Sequence, residues 1–196
     1  KRKKINSLVF HNVIDLKGKS DNEKNKSDEL VYVGSLDKRK GFADFYNLVT
    51  QTPDYRYKVI GRTRDKTGVI LYDRLKSYPN VKLLGKLSHD ETIREIARSK
   101  ALISTSPMEG FPNIFIEAWS CGVPVLSLFV DPGGVISREK LGVVAGGDIR
   151  KLIYAAGNVT DNAEFRSRAN DYVHRTHEIN ESKITEINTI FTSVLG

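Results

Sequence analysis

Short, unbroken apolar runs that alternate with helix-period segments constrain this chain more than any other feature. Leu30-Val31-Tyr32-Val33 is followed by the turn Gly34-Ser35-Leu36, then by a segment with Phe42, Phe45, Leu48 and Val49 on one helical face. A continuous run of this kind suits a strand buried on both faces of a parallel sheet. The pattern recurs. Strands are expected at Arg56 to Gly61, Val81 to Leu84, Ala101 to Thr105 and Val123 to Val130, with a short edge strand at Val143-Val144. Between them, helices are expected over Val69 to Ser77, with Ile70, Leu71, Leu75 and Tyr78 inward, and after the capping box Ser88…Glu91, burying Ile93, Ile96 and Ala97. Further helices are expected at Asn113 to Cys121, Ile149 to Ala156, Ala163 to Arg175 and, from the spacing of Ile179, Ile184, Ile187, Ile190, Phe191 and Val194, Glu178 to Leu195. The reading is an α/β fold: a doubly wound, Rossmann-like parallel sheet with helices on both faces.

The segment EGFPNIFIEAWSCGVPV, residues 109 to 125, carries the most chemistry. Gly110-Phe111-Pro112 reads as a turn, Asn113 as the first helical residue and Gly122 as the stop. A helix starting there presents the backbone N–H groups of Asn113, Ile114 and Phe115 unpaired, at the positive end of its dipole, which suits an anion. Glu109 stands before that mouth and Glu117 a turn beyond it. Phosphate wants N–H groups and positive charge, and sugar hydroxyls want carboxylate acceptors. The set therefore suits a ligand carrying both. Glu117 stands in a hydrophobic helix, among Ile114, Phe115, Ile116 and Ala118, where a purely solvated role would not call for it. Lys40, at the entrance of the helix that follows Gly34, is a second source of positive charge for a diphosphate. Its setting in the basic run Lys38-Arg39-Lys40 equally fits a solvated lysine. Arg62, in the loop after the second strand, lies at the ligand end of the sheet and is read both as a phosphate or base contact and as a solvated side chain. His89 reads as a solvated first-turn residue, and Cys121 as a small buried one.

These blocks resemble the donor-binding, C-terminal half of retaining GT-B glycosyltransferases, family 4 in particular. The resemblance rests on the E-x7-E spacing of Glu109 and Glu117, VYVGSLDKRKGF at 31 to 42, YKVIGR at 57 to 62 and VKLLGKLSHDE at 81 to 91, in that order. It covers about residues 5 to 175. It implies a nucleotide-diphospho-sugar donor such as a UDP- or GDP-sugar, and no separate cofactor. The site would be Gly34, Ser35, Lys40, Arg62, Gly85, Glu109, Phe111, Asn113, Ile114 and Glu117, with Lys40 and Glu109 at the reaction centre. In this resemblance Glu109 holds donor-sugar hydroxyls, Glu117 the ribose hydroxyls, and backbone near Gly85 borders the base. The family commonly has arginine where this chain has Ser35, which removes one phosphate contact. With no Asp-x-Asp, His cluster or Cys pair in the sequence, the expected support for the leaving group is metal-free: Lys40 and the N–H groups of Asn113 and Ile114.

The implied organisation is a linker and basic leader over 1–28, including the interdomain element Asn12-Val13-Ile14-Asp15, a nucleotide-sugar domain over 29–176 and a C-terminal helix over 177–196. The acceptor-binding domain would precede residue 1, so this chain alone is expected to transfer little or no sugar. Of 196 residues with net charge +7, residues 1–40 carry 11 Lys/Arg against 6 Asp/Glu, and the rest is close to neutral. That excess reads as a solvated leader, or as a basic surface near phosphate or an anionic membrane. The leader lacks interleaved aromatics, which argues against nucleic acid as partner. No signal peptide is visible and the single cysteine suits a reducing compartment, so a cytoplasmic location is expected, with peripheral association at the inner face of a membrane left open. Two alternatives stay beside the transferase: a nucleotide-sugar 2-epimerase of similar fold, and a noncatalytic basic module.

Overall fold

The computed structural model describes residues 27–160 and 163–179, with scattered positions between 181 and 192. The expected linker, leader loop and Asn12…Asp15 element lie outside the described residues. So does most of the expected C-terminal helix. Within that last stretch Glu181, Ile184, Thr185, Asn188, Thr189 and Thr192 are helical.

Six strands form one parallel sheet: β1 (Glu29–Val33), β2 (Arg56–Ile60), β3 (Val81–Gly85), β4 (Ala101–Ser104), β5 (Val125–Ser127) and β6 (Gly142–Val144). Their order, β3-β2-β1-β4-β5-β6, reverses direction between β1 and β4. In open α/β sheets that switch point opens a crevice at the carboxyl ends of the strands. The helices that connect and cover the sheet among the described residues are α1 (Phe42–Gln51), α2 (Lys66–Leu75), α3 (His89–Ala97), α4 (Asn113–Ser120), α5 (Val135–Arg138), α6 (Ile149–Asn158) and α7 (Ala163–His177).

Alternation along the strands builds two cores. Leu30 and Tyr32 of β1, Tyr57 and Val59 of β2 and Ile103 of β4 face α1, α2 and α6. Val31, Ile60 and Leu102 face the other way, onto α3, α4 and α7. Trp119 of α4 is fully buried there, its indole N–H donating to the Leu141 carbonyl at 2.9 Å. The α1 face is as expected: Phe42, Phe45, Leu48 and Val49 are all buried. The capping box is present in full, with the Ser88 hydroxyl accepting from the Glu91 N–H at 3.3 Å and the Glu91 carboxylate from the Ser88 N–H at 2.8 Å.

Three expectations are corrected. α2 turns Gly68, Leu71 and Leu75 inward and leaves Ile70 53% exposed. The reason is Gly68: a Cβ on it would lie 1.9 Å from the Leu36 carbonyl oxygen, so the backbone of α2 rests directly on the turn after β1. β5 spans three residues rather than eight, because the chain leaves the ladder after Ser127 and its hydroxyl accepts the Val130 N–H at 3.0 Å. Cys121 is half-buried, as the cap that ends α4. The turn at Asp131 to Gly134 winds as a 3-10 turn and leads directly into α5, the Asp131 carboxylate accepting the Ile136 N–H at 2.8 Å.

The amino edge of the sheet, opposite the switch point, is held by charge. Lys58 lies between Glu29 at 3.3 Å and Glu95 of α3 at 2.9 Å, and Lys82 reaches the other oxygen of Glu29 at 2.5 Å. Burial pushes the Glu29 carboxyl up, but hydrogen bonds from Lys82, Ser27 and Lys58 outweigh it and hold the group below its ordinary value. A lowered folded-state pKa stabilises above the unfolded value, near ~4.3, and the contribution fades as pH falls through the folded value. Glu29→Gln should therefore cost about 1–2 kcal/mol at neutral pH and clearly less near pH 3, as read by urea unfolding at the two pH values.

Candidate functional site

The crevice at the switch point contains a cavity of about 410 Å³. Gly34 lines it from the end of β1, Lys40 from the 3-10 turn that follows, Glu109 and Phe111 from the loop after β4, and Asn113 and Ile114 from the first turn of α4. Six of the ten expected site residues thus share one cavity.

The backbone that presents Lys40 is tightly fixed. The buried Asp37 carboxylate accepts the Lys40 N–H at 3.0 Å, capping the turn Lys38–Lys40. Gly41 ends that turn at φ 65° and opens α1. Thr105, the residue after β4, clamps it: its hydroxyl donates to the Gly41 carbonyl at 2.8 Å, and the Ser106 hydroxyl lies 3.5 Å from the Arg39 carbonyl. Beneath them Tyr32 donates to the carbonyls of Ser35 at 3.3 Å and Lys40 at 3.2 Å. Burial first, then the charges of Asp37 and Glu109, raise its phenol far above the ordinary value, so it remains a donor at any physiological pH.

Lys40 and Glu109 form an ion pair across the cavity, with the lysine side chain 38% and the glutamate 20% exposed. The Ser106 hydroxyl donates to the same Glu109 oxygen at 2.8 Å. The carboxylate therefore holds the ammonium.

α4 begins after Pro112, and among the described residues no side chain caps it. One expectation at this helix is corrected. The Phe115 N–H is bonded to the Pro112 carbonyl at 3.0 Å, so the first turn closes on itself at that position. Nearer the mouth, Asn113 and Ile114 line the cavity. Phe111, which lines the cavity, also packs against Trp119 and the buried His177, at ring-centre distances of 6.4 and 5.2 Å.

The remaining four expected residues lie outside this cavity. Glu117, 16% exposed, lies one turn further along α4, 3.8 Å from His89 Nδ1 at the start of α3. Gly85 ends β3 just before that point, in the left-handed region with open space where a Cβ would be. Glu117 thus lies against the start of α3, the helix that follows the turn at Gly85. Ser35 uses its carbonyl on Tyr32 and adds no side chain to the cavity. Arg62 is exposed in the loop after β2, with its carbonyl on the Leu36 N–H at 3.0 Å. The sequence reading missed Tyr32 and Ser106. Both matter through partners tens of positions distant or through a turn geometry, and neither carries a local signal.

The fold is shared with glycosyltransferases of known structure. HepE of Anabaena, solved with UDP, superposes with a TM-score of 0.75 at 18% identity over 95% of this chain and 57% of that one. The lipopolysaccharide outer core galactosyltransferase WaaB superposes at 0.70 with 22% identity, over 95% and 55%. A variant of S. aureus TarM, solved with fondaparinux, alpha-GlcNAc-glycerol and UDP, superposes at 0.70 with 18% identity, over 94% and 38%. The chain thus spans little more than half the length of these structures at most. No curated protein matches it in sequence. Residues 14–168, well over half of the chain, match the family model of the glycosyl transferases group 1, and the chain belongs to that family.

Proposed function

We propose that this chain is the donor-binding half of a retaining, metal-independent glycosyltransferase that moves a sugar from a nucleoside-diphosphate carrier to a glycan or glycolipid acceptor. The observation that carries the reading is the meeting of Lys40, Glu109 and the mouth of α4 in one cavity at the sheet's switch point. Relatives solved with UDP support a nucleoside diphosphate as the carrier.

In this reading the diphosphate lies between the Lys40 ammonium and the N–H groups at Asn113 and Ile114. As the anomeric C–O bond breaks, the leaving diphosphate gains negative charge, and these fixed donors stabilise it without reorganising. Glu109, released from Lys40, accepts hydroxyls of the donor sugar. The nucleoside extends along α4, with its ribose on Glu117 and its base against the turn at Gly85. Gly34 lets phosphate approach the backbone. Acceptor recognition belongs to a partner domain outside this chain, so we expect no robust multiple-turnover transfer by the 196 residues alone.

Calorimetric titration of the chain with UDP, GDP and their sugars tests the proposal. One nucleotide should bind saturably, and Glu117→Ala should weaken it about tenfold, the loss of a charged hydrogen-bond acceptor. No saturable binding by any member of the panel would sink it.

A further inference from the structure

Beside the donor cavity the structure forms a surface whose charges point one way. The turns after β1 and β2 are zipped together: Leu36 pairs with Thr63, the Arg64 N–H reaches the Leu36 carbonyl at 3.4 Å, and the Asp65 carboxylate accepts the Lys38 N–H at 2.9 Å. Seven charged residues other than Lys40 lie in these turns. The two acids are spent on the backbone: the buried Asp37 caps the Lys40 N–H, and the half-buried Asp65 takes Lys38 and, at 2.6 Å, Gly68. The five cations, Lys38, Arg39, Arg62, Arg64 and Lys66, are all exposed. Among the described residues only Arg39 forms an ion pair, with Asp37 at 3.4 Å, while Asp65 feels the charges of Arg39 and Lys38 from further off.

An apolar step adjoins them. Lys66, Val69 and Ile70 occupy i, i+3 and i+4 of α2 and share its outer face, opposite the buried Gly68, Leu71 and Leu75. Val69 is 47% and Ile70 53% exposed. Next along that face, Asp73 is neutralised by Lys76 at 2.7 Å. Among the described residues no helix is long and apolar enough to cross a membrane.

We propose that this surface docks on an anionic lipid bilayer, with the five cations on headgroups and Val69 and Ile70 entering the interface. A soluble polyanion would use the cations alone and would gain nothing from the exposed Val69 and Ile70 beside them. Cationic side chains ringing a small apolar tip fit the bilayer boundary, where buried apolar area and headgroup attraction act together. The inference is tested independently of the donor reading, since Arg64, Lys66, Val69 and Ile70 line no part of the donor cavity.

Vesicle co-sedimentation of the 196-residue chain decides it. Vesicles of equal parts phosphatidylglycerol and phosphatidylcholine should retain the protein, and pure phosphatidylcholine should not. Arg64→Gln with Lys66→Gln should weaken retention about 25-fold, at roughly fivefold per cation. Val69→Ser with Ile70→Ser should weaken it about tenfold, from the lost apolar area. Melting temperatures measured alongside guard against unfolding, and the basic residues in 1–26 stay constant across all variants. Equal retention of every variant would assign binding to that leader and overturn the proposal. Charge-sensitive retention indifferent to the Val69/Ile70 change would point to a soluble polyanion, and would overturn it too.

Discussion

Lys40→Met should weaken binding of the chain's nucleoside diphosphate about 30-fold while moving the melting temperature by no more than about 3 °C. A hydrogen bond between charged groups contributes on the order of 2 kcal/mol, which is the stated factor. The small thermal effect follows from exposure. Lys40 is 38% exposed and its pair with Glu109 is open to water, where such pairs contribute about 0–1 kcal/mol to folding. Methionine keeps the stem of the side chain, so any loss belongs to the charge. The converse substitution gives the opposite sign for part of the ligand. In Glu109→Gln the ammonium is no longer held by a carboxylate, so the free nucleoside diphosphate should bind as well as to the wild type or better. The nucleotide sugar should lose whatever advantage its sugar confers. Equal affinity of Lys40→Met and wild type in titration calorimetry would remove the lysine from the phosphate site.

The sequence made those two residues candidates for different reasons, and only one of the reasons was local. The strands and the buried face of α1 are legible because apolar runs and 3.6-residue spacing act within a few residues of each other. The mouth of α4 is legible for the same reason, through Pro112 before it and Gly122 after it. Ile70 is the instructive failure. Its spacing with Leu71, Leu75 and Tyr78 suits a helix, but the rotation of α2 about its own axis is fixed by the contact of Gly68 with the Leu36 carbonyl. A glycine that makes its contact through missing atoms leaves no apolar signature. The same holds for Tyr32 and Ser106, whose roles depend on backbone carbonyls brought close by the turn after β1 and by β4. Arg62 shows the limit from the other side: position at the carboxyl end of a strand does not select which loop side chain enters the crevice.

Two glycines of the site loop should respond to alanine in opposite ways, and the contrast separates architecture from ligand contact. Gly41 has φ 65°, and a Cβ there would lie 1.9 Å from the Thr105 carbonyl oxygen and 2.7 Å from its carbon. Backbone meets backbone, so no rotamer change relieves the clash, and the left-handed conformation adds about 1 kcal/mol for any residue with a side chain. Gly41→Ala should cost about 3 kcal/mol or more, roughly 6–12 °C in melting temperature for a domain of this size. It should also weaken diphosphate binding, because Thr105 can no longer clamp the residue next to Lys40. Gly34 has no left-handed backbone, and the nearest atom to its Cβ would be the Tyr32 hydroxyl at 3.8 Å. Nothing in the fold requires glycine there. Gly34→Ala should melt at or slightly above the wild-type temperature, since alanine restricts the unfolded chain. Yet Gly34 lines the cavity beside Lys40, and a methyl group in that wall takes up space that the phosphates need. A loss of at least tenfold in affinity with stability unchanged is the expected pair of results. Wild-type affinity in Gly34→Ala would mean that the diphosphate does not approach the end of β1, and the cavity at the switch point would lose its claim to the donor.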